Sequence, residues 1–423
     1  MNFAIHTFGC KVNIYESEFI INLLLKNGYK MVETDSNEVD IYIINTCTVT
    51  NEADKKDRKF IHSVRNKYKD AIVIVMGCYS QINPYQIDAD IVIGNKYKSN
   101  IIELIEQYKR DRCKIIKVND ISKISFEDMY IDRFINHTRA FVKIQDGCNA
   151  YCAYCAIPYA RGGIRSKDFD KVINEVSSLV KNGYKEIVLT GIHTGKYGID
   201  IHTNLEKLLN ELVKIPNIFR IRLSSIEINE ITDGIIDLIK NNDIMAKHLH
   251  IPLQSGSNEV LKNMNRLYDK EMFINRVKEI RKEIPDISIT TDLILGFPGE
   301  TDELFDETMD TLNKINFTKI HTFPYSRRNG TKASKMPNQI DDKIKKCRVK
   351  EVIALSDKNE LDFYDQKIGN TYDGIIETRK DGKRMVITSN YIPVMIDTKL
   401  ENNTKVRIKI NSIENNIVVG EII

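Results

Sequence analysis

Short apolar runs and amphipathic runs take turns along the first part of the chain. NFAIHTF, DIYIINT and AIVIVMG each have the length and texture of a buried strand. Between the first two, ESEFIINLLLKNGYK spaces its apolar residues at helical intervals and reaches Gly28, which predicts a helix closed by that glycine. DADIVIG and NIIELIEQYK continue the alternation, so residues 1–118 predict an α/β domain with an open parallel sheet. The pattern weakens from Asn119 to Thr138, a junction. It then resumes as RAFVKIQ, EIVLTG, FRIRLSS, HLHIPL, ISITTDLILG and KIHTFPY, with helical runs such as DKVINEVSSLVKNGY and MFINRVKEIRKEI between them. Six βα repeats fall short of the eight that close a barrel, so residues 134–362 predict a partial (βα)6 barrel with its chemistry at the strand C-termini. Thr301 is placed to cap a helix whose first turn carries Asp302 and Glu303. Over residues 363–423, GIIETRK, KRMVITS, YIPVMID, KVRIKI and IVVGEII alternate with DGK, SN and ENN turns, which predicts a small all-β domain.

Charge narrows this picture only locally. With 62 Lys and Arg against 59 Asp and Glu, a polyanion site has to be a patch. The run from Arg327 to Lys350 is one candidate and reads equally well as a solvated helix face. Arg379, Lys380, Lys383 and Arg384 around one hairpin are another, suited to phosphate contacts that ignore sequence; a small stabilising barrel explains them too. No apolar run approaches the roughly 20 residues that cross a bilayer, and MNFAIHTFGC has neither a basic leader nor a small-residue cleavage site, so a cytoplasmic protein without membrane partners is expected.

The eight cysteines change the picture more. Eight in a chain of this length are too few for a secreted disulfide scaffold and point instead to metal or catalysis. Cys148, Cys152 and Cys155 follow the first barrel strand as C-x3-C-x2-C in GCNAYCAYCAIP. Structural zinc wants four ligands, and no fourth Cys or His is nearby. Thiolates also hold four-iron clusters, and three of them leave one iron open to a substrate or cofactor. Cys10, Cys47 and Cys78 each follow a strand of the first domain, in GCKVN, NTCTVTN and MGCYS. At the carboxyl edge of one sheet they can converge. Free cysteines are often plain core residues, but these have small or polar neighbours in loops. Cys113 and Cys347 read as structural or incidental.

The Cys148 loop, with Tyr154 before its last thiol, on a six-repeat barrel, resembles the radical S-adenosylmethionine enzymes. The resemblance implies that the open iron chelates the amino and carboxylate groups of S-adenosylmethionine, and that the reduced cluster cleaves the sulfonium to a 5'-deoxyadenosyl radical. With the first-domain cysteines and a terminal β module of TRAM type, the chain is similar to the methylthiotransferases over nearly its whole length. TFGCKVNIYESE, NTCTVTNEADKK, QDGCNAYCAYCAIPYARG and HIPLQSGSNEVLKNMNR most resemble the enzymes that act on N6-threonylcarbamoyladenosine beside the anticodon of tRNA. Lys11 and Val12 stand where the isopentenyladenosine enzymes typically have Gln-Met and those acting on a ribosomal protein Pro-Lys. The resemblance implies two [4Fe-4S] clusters, one on Cys148, Cys152 and Cys155 and one on Cys10, Cys47 and Cys78. The second carries or delivers sulfur, so two S-adenosylmethionine molecules serve each product. It also implies a tRNA substrate and a low-potential electron donor such as flavodoxin or ferredoxin. Gly191, Glu227, Gln254 and Asp292, in strand-end motifs, join Tyr154 as candidate cofactor contacts, although each also has a turn or capping explanation. One departure is Lys167, where the resemblance leads us to expect a second arginine; it keeps the charge and loses the bidentate fork.

Three alternatives remain at this level. Another methylthiotransferase, for isopentenyladenosine or for a ribosomal protein aspartate, shares most of these motifs. A non-catalytic iron–sulfur electron carrier would saturate each cluster with four protein ligands. An RNA-binding module with zinc knuckles lacks the ligand count.

Overall fold

The computed structural model describes residues 1–121, 124–135, 137–379 and 382–423; residues 122, 123 and 136 of the expected junction, and Lys380, lie outside them. Strands β1 (Asn2–Thr7), β2 (Lys30–Met31), β3 (Ile41–Thr46), β4 (Ile72–Gly77), β5 (Ile91–Ile93) and β6 (Ile115–Lys117) form one sheet in the order β2-β1-β3-β4-β5-β6. Every pairing in it is parallel. Helices α1 (Lys11–Lys26), α2 (Asn51–Lys67), α3 (Cys78–Ile82) and α4 (Ile101–Asp111) connect the strands. Ile41 and Ile43 pack with Ile20, Leu24 and Leu104 on one face, while Tyr42 and Ile44 pack with Ile61 and Val64 on the other. Burial on both faces is why these strands read as unbroken apolar runs. The strand order reverses between β1 and β3, and in such sheets ligands bind outside the carboxyl ends at that point.

The next elements are β7 (Ala140–Lys143), β8 (Gln145–Asp146), α5 (Ile157–Arg161), β9 (Arg165–Ser166), α6 (Phe169–Lys181), β10 (Glu186–Thr190), α7 (Leu205–Leu212) and β11 (Arg220–Leu223). After them come α8 (Asp233–Asn241), β12 (His248–His250), α9 (Asn258–Asn263), α10 (Lys270–Glu283), β13 (Ser288–Leu295), α11 (Asp302–Ile315) and β14 (Lys319–Pro324). Strands β11-β10-β7 and β12-β13-β14 are two parallel sheets, and bridges Ile221–Met245 and Ser225–His250 join them into the expected six-strand partial barrel. Thr301 caps α11, its hydroxyl accepting from Leu304 N at 3.3 Å. The described part of the junction is no free linker, because Met129, Ile131 and Phe134 are buried in the barrel core. An extended segment laid on a core needs no periodic pattern, so its apolar residues gave no sequence signal.

Helix α12 (Asp342–Asp365) packs along β14 and runs across the expected boundary at 362/363. Within the basic run before and along it, Arg328 is buried against Asp54 and Arg348 against Glu300 and Asp302, so two of its charges hold the fold together. Finally β15 (Thr371–Thr378), β16 (Arg384–Thr388), β17 (Pro393–Met395), β18 (Lys405–Glu414) and β19 (Ile417–Ile422) close into a small barrel in the order β15-β16-β17-β19-β18. No helix among the described residues is long and apolar enough to cross a membrane.

Candidate active site

Strands β8 and β9 pair antiparallel as the neck of a loop that carries Cys148, Cys152 and Cys155. At the neck, Gly147 has φ +74°, and a Cβ there would lie 1.9 Å from Gly163 O, so only glycine closes it. Each sulfur has polar company. Cys148 Sγ lies 3.3 Å from His193 Nδ1 and accepts from Ala150 N at 3.4 Å. Cys155 Sγ accepts from Ile157 N at 3.4 Å, and Cys152 Sγ from Arg266 Nη1 at 3.1 Å. Arg266 is itself held by Glu227. Burial pushes the Cys155 thiol up to about 12 and raises Cys152 as well, with Arg266 pulling both the other way. Such thiols are reluctant to ionise alone; a bound cation that supplies the missing charge reverses this.

Cys10 precedes α1, Cys47 follows β3 and Cys78 opens α3 after β4. Since β1, β3 and β4 are neighbours, the three thiols meet at one rim. Gly9 (φ +97°) packs so tightly that a Cβ there would be 2.9 Å from Cys47 Cβ. Asn13 ties the loops together, donating to Phe8 O at 2.8 Å and Thr46 O at 2.9 Å. Burial, then the neighbouring Cys78 thiol, pushes Cys47 up to about 12.

Arg161, six residues after Cys155, reaches across to the N-terminal trio. It is fully buried and donates from Nε to Cys78 Sγ at 3.2 Å, from Nη1 to Glu16 at 2.8 Å and Asp146 at 3.1 Å, and from Nη2 to Asn13 Oδ1 at 2.8 Å. Lys98 and Lys143 also pair with Glu16, and Lys143 and Arg165 with Asp146. Burial alone would raise the Glu16 carboxyl, but Arg161, Lys143 and Lys98 hold it well below the usual range. With neutral thiols this buried cluster holds Lys98, Lys143, Arg161 and Arg165 against Glu16 and Asp146. Anionic sulfur at Cys78 narrows that imbalance, so the donor set suits a thiolate-held group. Among the described residues no three His, Cys, Asp or Glu side chains close tightly enough on one point to hold a single ion. The fit of each trio to a larger cluster therefore rests on these donors.

The other expected residues spread over three cavities. Tyr154, Gln254 and Asp292 share one of about 210 Å³ with Cys155. Glu227 lines another of about 140 Å³ with Cys152, His193 and Arg266. Gly191 lines a third, of about 620 Å³, with Cys10. Lys167 compensates for its missing fork by bonding Glu175 at 2.5 Å, Met129 O at 2.6 Å and Tyr15 at 3.3 Å, all buried. Sequence reasoning missed Asn13, Glu16, Arg161, His193 and Arg266. Asn13, Glu16, Arg161 and Arg266 each lie in a motif quoted for the resemblance, and that placement was their only signal.

The cysteine loop on a six-strand parallel barrel is the architecture of a radical enzyme, and residues 142–312 match the Radical SAM superfamily. Residues 2–115 match Uncharacterized protein family UPF0004. Over 404 residues the chain is 43% identical to the threonylcarbamoyladenosine tRNA methylthiotransferase MtaB of Bacillus subtilis (strain 168), covering 93% of this chain and 89% of the relative. It is 35% identical over 388 residues to the tRNA-2-methylthio-N(6)-dimethylallyladenosine synthase of Acetivibrio thermocellus, covering 89% and 80%. Among solved structures, the radical S-adenosylmethionine methyltransferase TsrM of Kitasatospora setae shares the fold, with TM-score 0.59 and 15% identity over 78% of this chain and 76% of that one. The chain belongs to the radical S-adenosylmethionine methylthiotransferase family.

Proposed function

We propose that this chain converts N6-threonylcarbamoyladenosine beside the anticodon of tRNA into its 2-methylthio derivative. The observation that carries the reading is the pair of cysteine trios, one on each α/β unit, with buried Arg161, from the helix after the barrel cysteine loop, reaching Cys78 of the other trio. The activity of the 43% identical relative, a threonylcarbamoyladenosine tRNA methylthiotransferase, fits it. Cys148, Cys152 and Cys155 would hold one four-iron cluster and Cys10, Cys47 and Cys78 a second. Bound there with S-adenosylmethionine, these groups supply the radical, the sulfur and the methyl group. Such chemistry is needed because the target adenine carbon bears an unactivated hydrogen, with neither an acidic proton nor a leaving group for a side-chain base. An external low-potential donor of flavodoxin or ferredoxin type belongs to this reading.

The chain's own residues prepare the site. His193 and Arg266 orient Cys148 and Cys152 through the contacts at their sulfurs. Glu227 fixes Arg266, and Glu230 lies 2.7 Å from His193 Nε2. Tyr154, Gln254 and Asp292 line the cavity beside Cys155, where the nucleoside of S-adenosylmethionine is expected to rest. The C-terminal barrel is read as a TRAM-like RNA-binding module. On β18 the apolar Val406, Ile408 and Ile410 are buried and Lys405, Arg407 and Lys409 exposed, a basic face suited to phosphates. The test is mass spectrometry of tRNA nucleosides with and without the gene. Loss of 2-methylthio-N6-threonylcarbamoyladenosine with accumulation of its precursor is expected; a change in the isopentenyl nucleoside instead would overturn the substrate assignment.

A further inference from the structure

The cavity of about 620 Å³ is bounded by all three parts of the chain. Cys10 and Gly191 stand in its wall, so it reaches the N-terminal trio at Cys10. Lys11 of the first α/β unit, Arg222 and His248 of the barrel strands and Tyr391 of the C-terminal barrel also line it.

Two of these groups are unspent. Arg222 is committed to Glu186 at 2.9 Å and to the carbonyl of Thr388 at 3.3 Å. Lys11, in contrast, has no hydrogen bond or ion pair from its ammonium among the described residues. A half-buried ammonium on the cavity wall with no direct acceptor is placed to take an anionic group that enters. The second is His248, 6% exposed, whose Nδ1 is buried without a partner while Nε2 meets Thr290 Oγ1 at 3.2 Å. Tyr391 completes the wall. It holds a left-handed backbone (φ +67°), sparsely populated for a bulky residue, with its ring 4.7 Å from His248 and 4.5 Å from the Arg222 guanidinium.

We propose that this cavity receives the substituent on N6 of the target adenosine, with Lys11 taking its carboxylate and His248 Nδ1 a second polar atom of the threonyl group. The inference rests on the function proposed above and deepens it into a basis for substrate choice. A threonylcarbamoyl group brings both a carboxylate and a hydroxyl. An all-hydrocarbon substituent of similar size would leave Lys11 and His248 desolvated and unpaired, which selects against it. The same ammonium also suits a phosphate of the RNA backbone, and the two sources of anion are separable.

The experiment measures binding of anticodon stem-loop RNAs to the cluster-loaded enzyme. The RNAs differ only at the target adenosine, which carries the threonylcarbamoyl acid, its carboxamide or an isopentenyl group. The acid RNA is expected to bind about 10- to 100-fold more tightly than the carboxamide, the range of a charge-assisted hydrogen bond. Lys11→Met should collapse that ratio towards one, and Lys11→Arg should keep most of it. Equal binding of acid and carboxamide by the unaltered enzyme overturns the inference without needing any variant to fold. Equal weakening of all three RNAs by Lys11→Met overturns it too, and assigns Lys11 to a phosphate. Methylthiolation of the acid RNA, followed in parallel, tells the two failures apart: if it persists while acid and carboxamide bind alike, only this inference falls, and if the isopentenyl RNA is modified instead, the function falls with it.

Discussion

Arg161 shows how one side chain serves both halves of the site. Its guanidinium fork meets Glu16, Asp146 and Asn13 while Nε faces Cys78, so four acceptors on three segments meet at it. Without it Glu16 keeps Lys98 and Lys143 and Asp146 keeps Lys143 and Arg165, but Asn13 Oδ1 and Cys78 Sγ lose the guanidinium donor, at about 1–3 kcal/mol for each buried acceptor left unsatisfied. Arg161→Met is therefore expected to lower the urea midpoint of the metal-free chain markedly, and Arg161→Lys to lower it less, because charge is kept and the fork lost. An unchanged midpoint in Arg161→Met would contradict this account. At the residue scale the six clustered cysteines were legible from spacing and neighbours. Asn13, Glu16 and His193 were not, because a buried polar group is identified by partners distant in sequence.

At the scale of elements, the strands were legible because two-sided burial writes unbroken apolar runs and one-sided burial writes alternation. β18 is the clear case, with KVRIKI turning apolar side chains inward and basic ones outward. Helix α12 was hidden for the complementary reason. Its buried face is Arg348, Val352, Ser356, Asn359 and Tyr364, largely polar, so no apolar stripe marks it. Arg348 is satisfied by Glu300 and Asp302, and Ser356 Oγ accepts from Ile320 N at 2.9 Å. The basic face of β18 gives a separable test. Arg407→Ala with Lys409→Ala should weaken tRNA binding and reduce the salt dependence of log affinity by about one unit of slope per lost phosphate contact. Both side chains are exposed, so the fold should be unaffected. Unaltered affinity and slope would leave the barrel as a structural cap.

At the scale of the molecule, the C-terminal barrel is more than an appended module. Arg220 donates to Ile387 O at 3.0 Å and Asp373 O at 2.8 Å, and Arg222 to Thr388 O, so deleting residues 363–423 would strip partners from two buried arginines. Point changes on β18 are the cleaner probe. In the proposed function, two thiol trios on two α/β units divide the labour, one for radical formation and one for sulfur. The direct measurement is paired quantitation of 5'-deoxyadenosine and methylthiolated nucleoside in cluster-reconstituted variants. Folded Cys47→Ala should still form 5'-deoxyadenosine and transfer no methylthio group, while Cys155→Ala should lose both activities. Full methylthiolation by Cys47→Ala would contradict the account and reduce the N-terminal trio to packing.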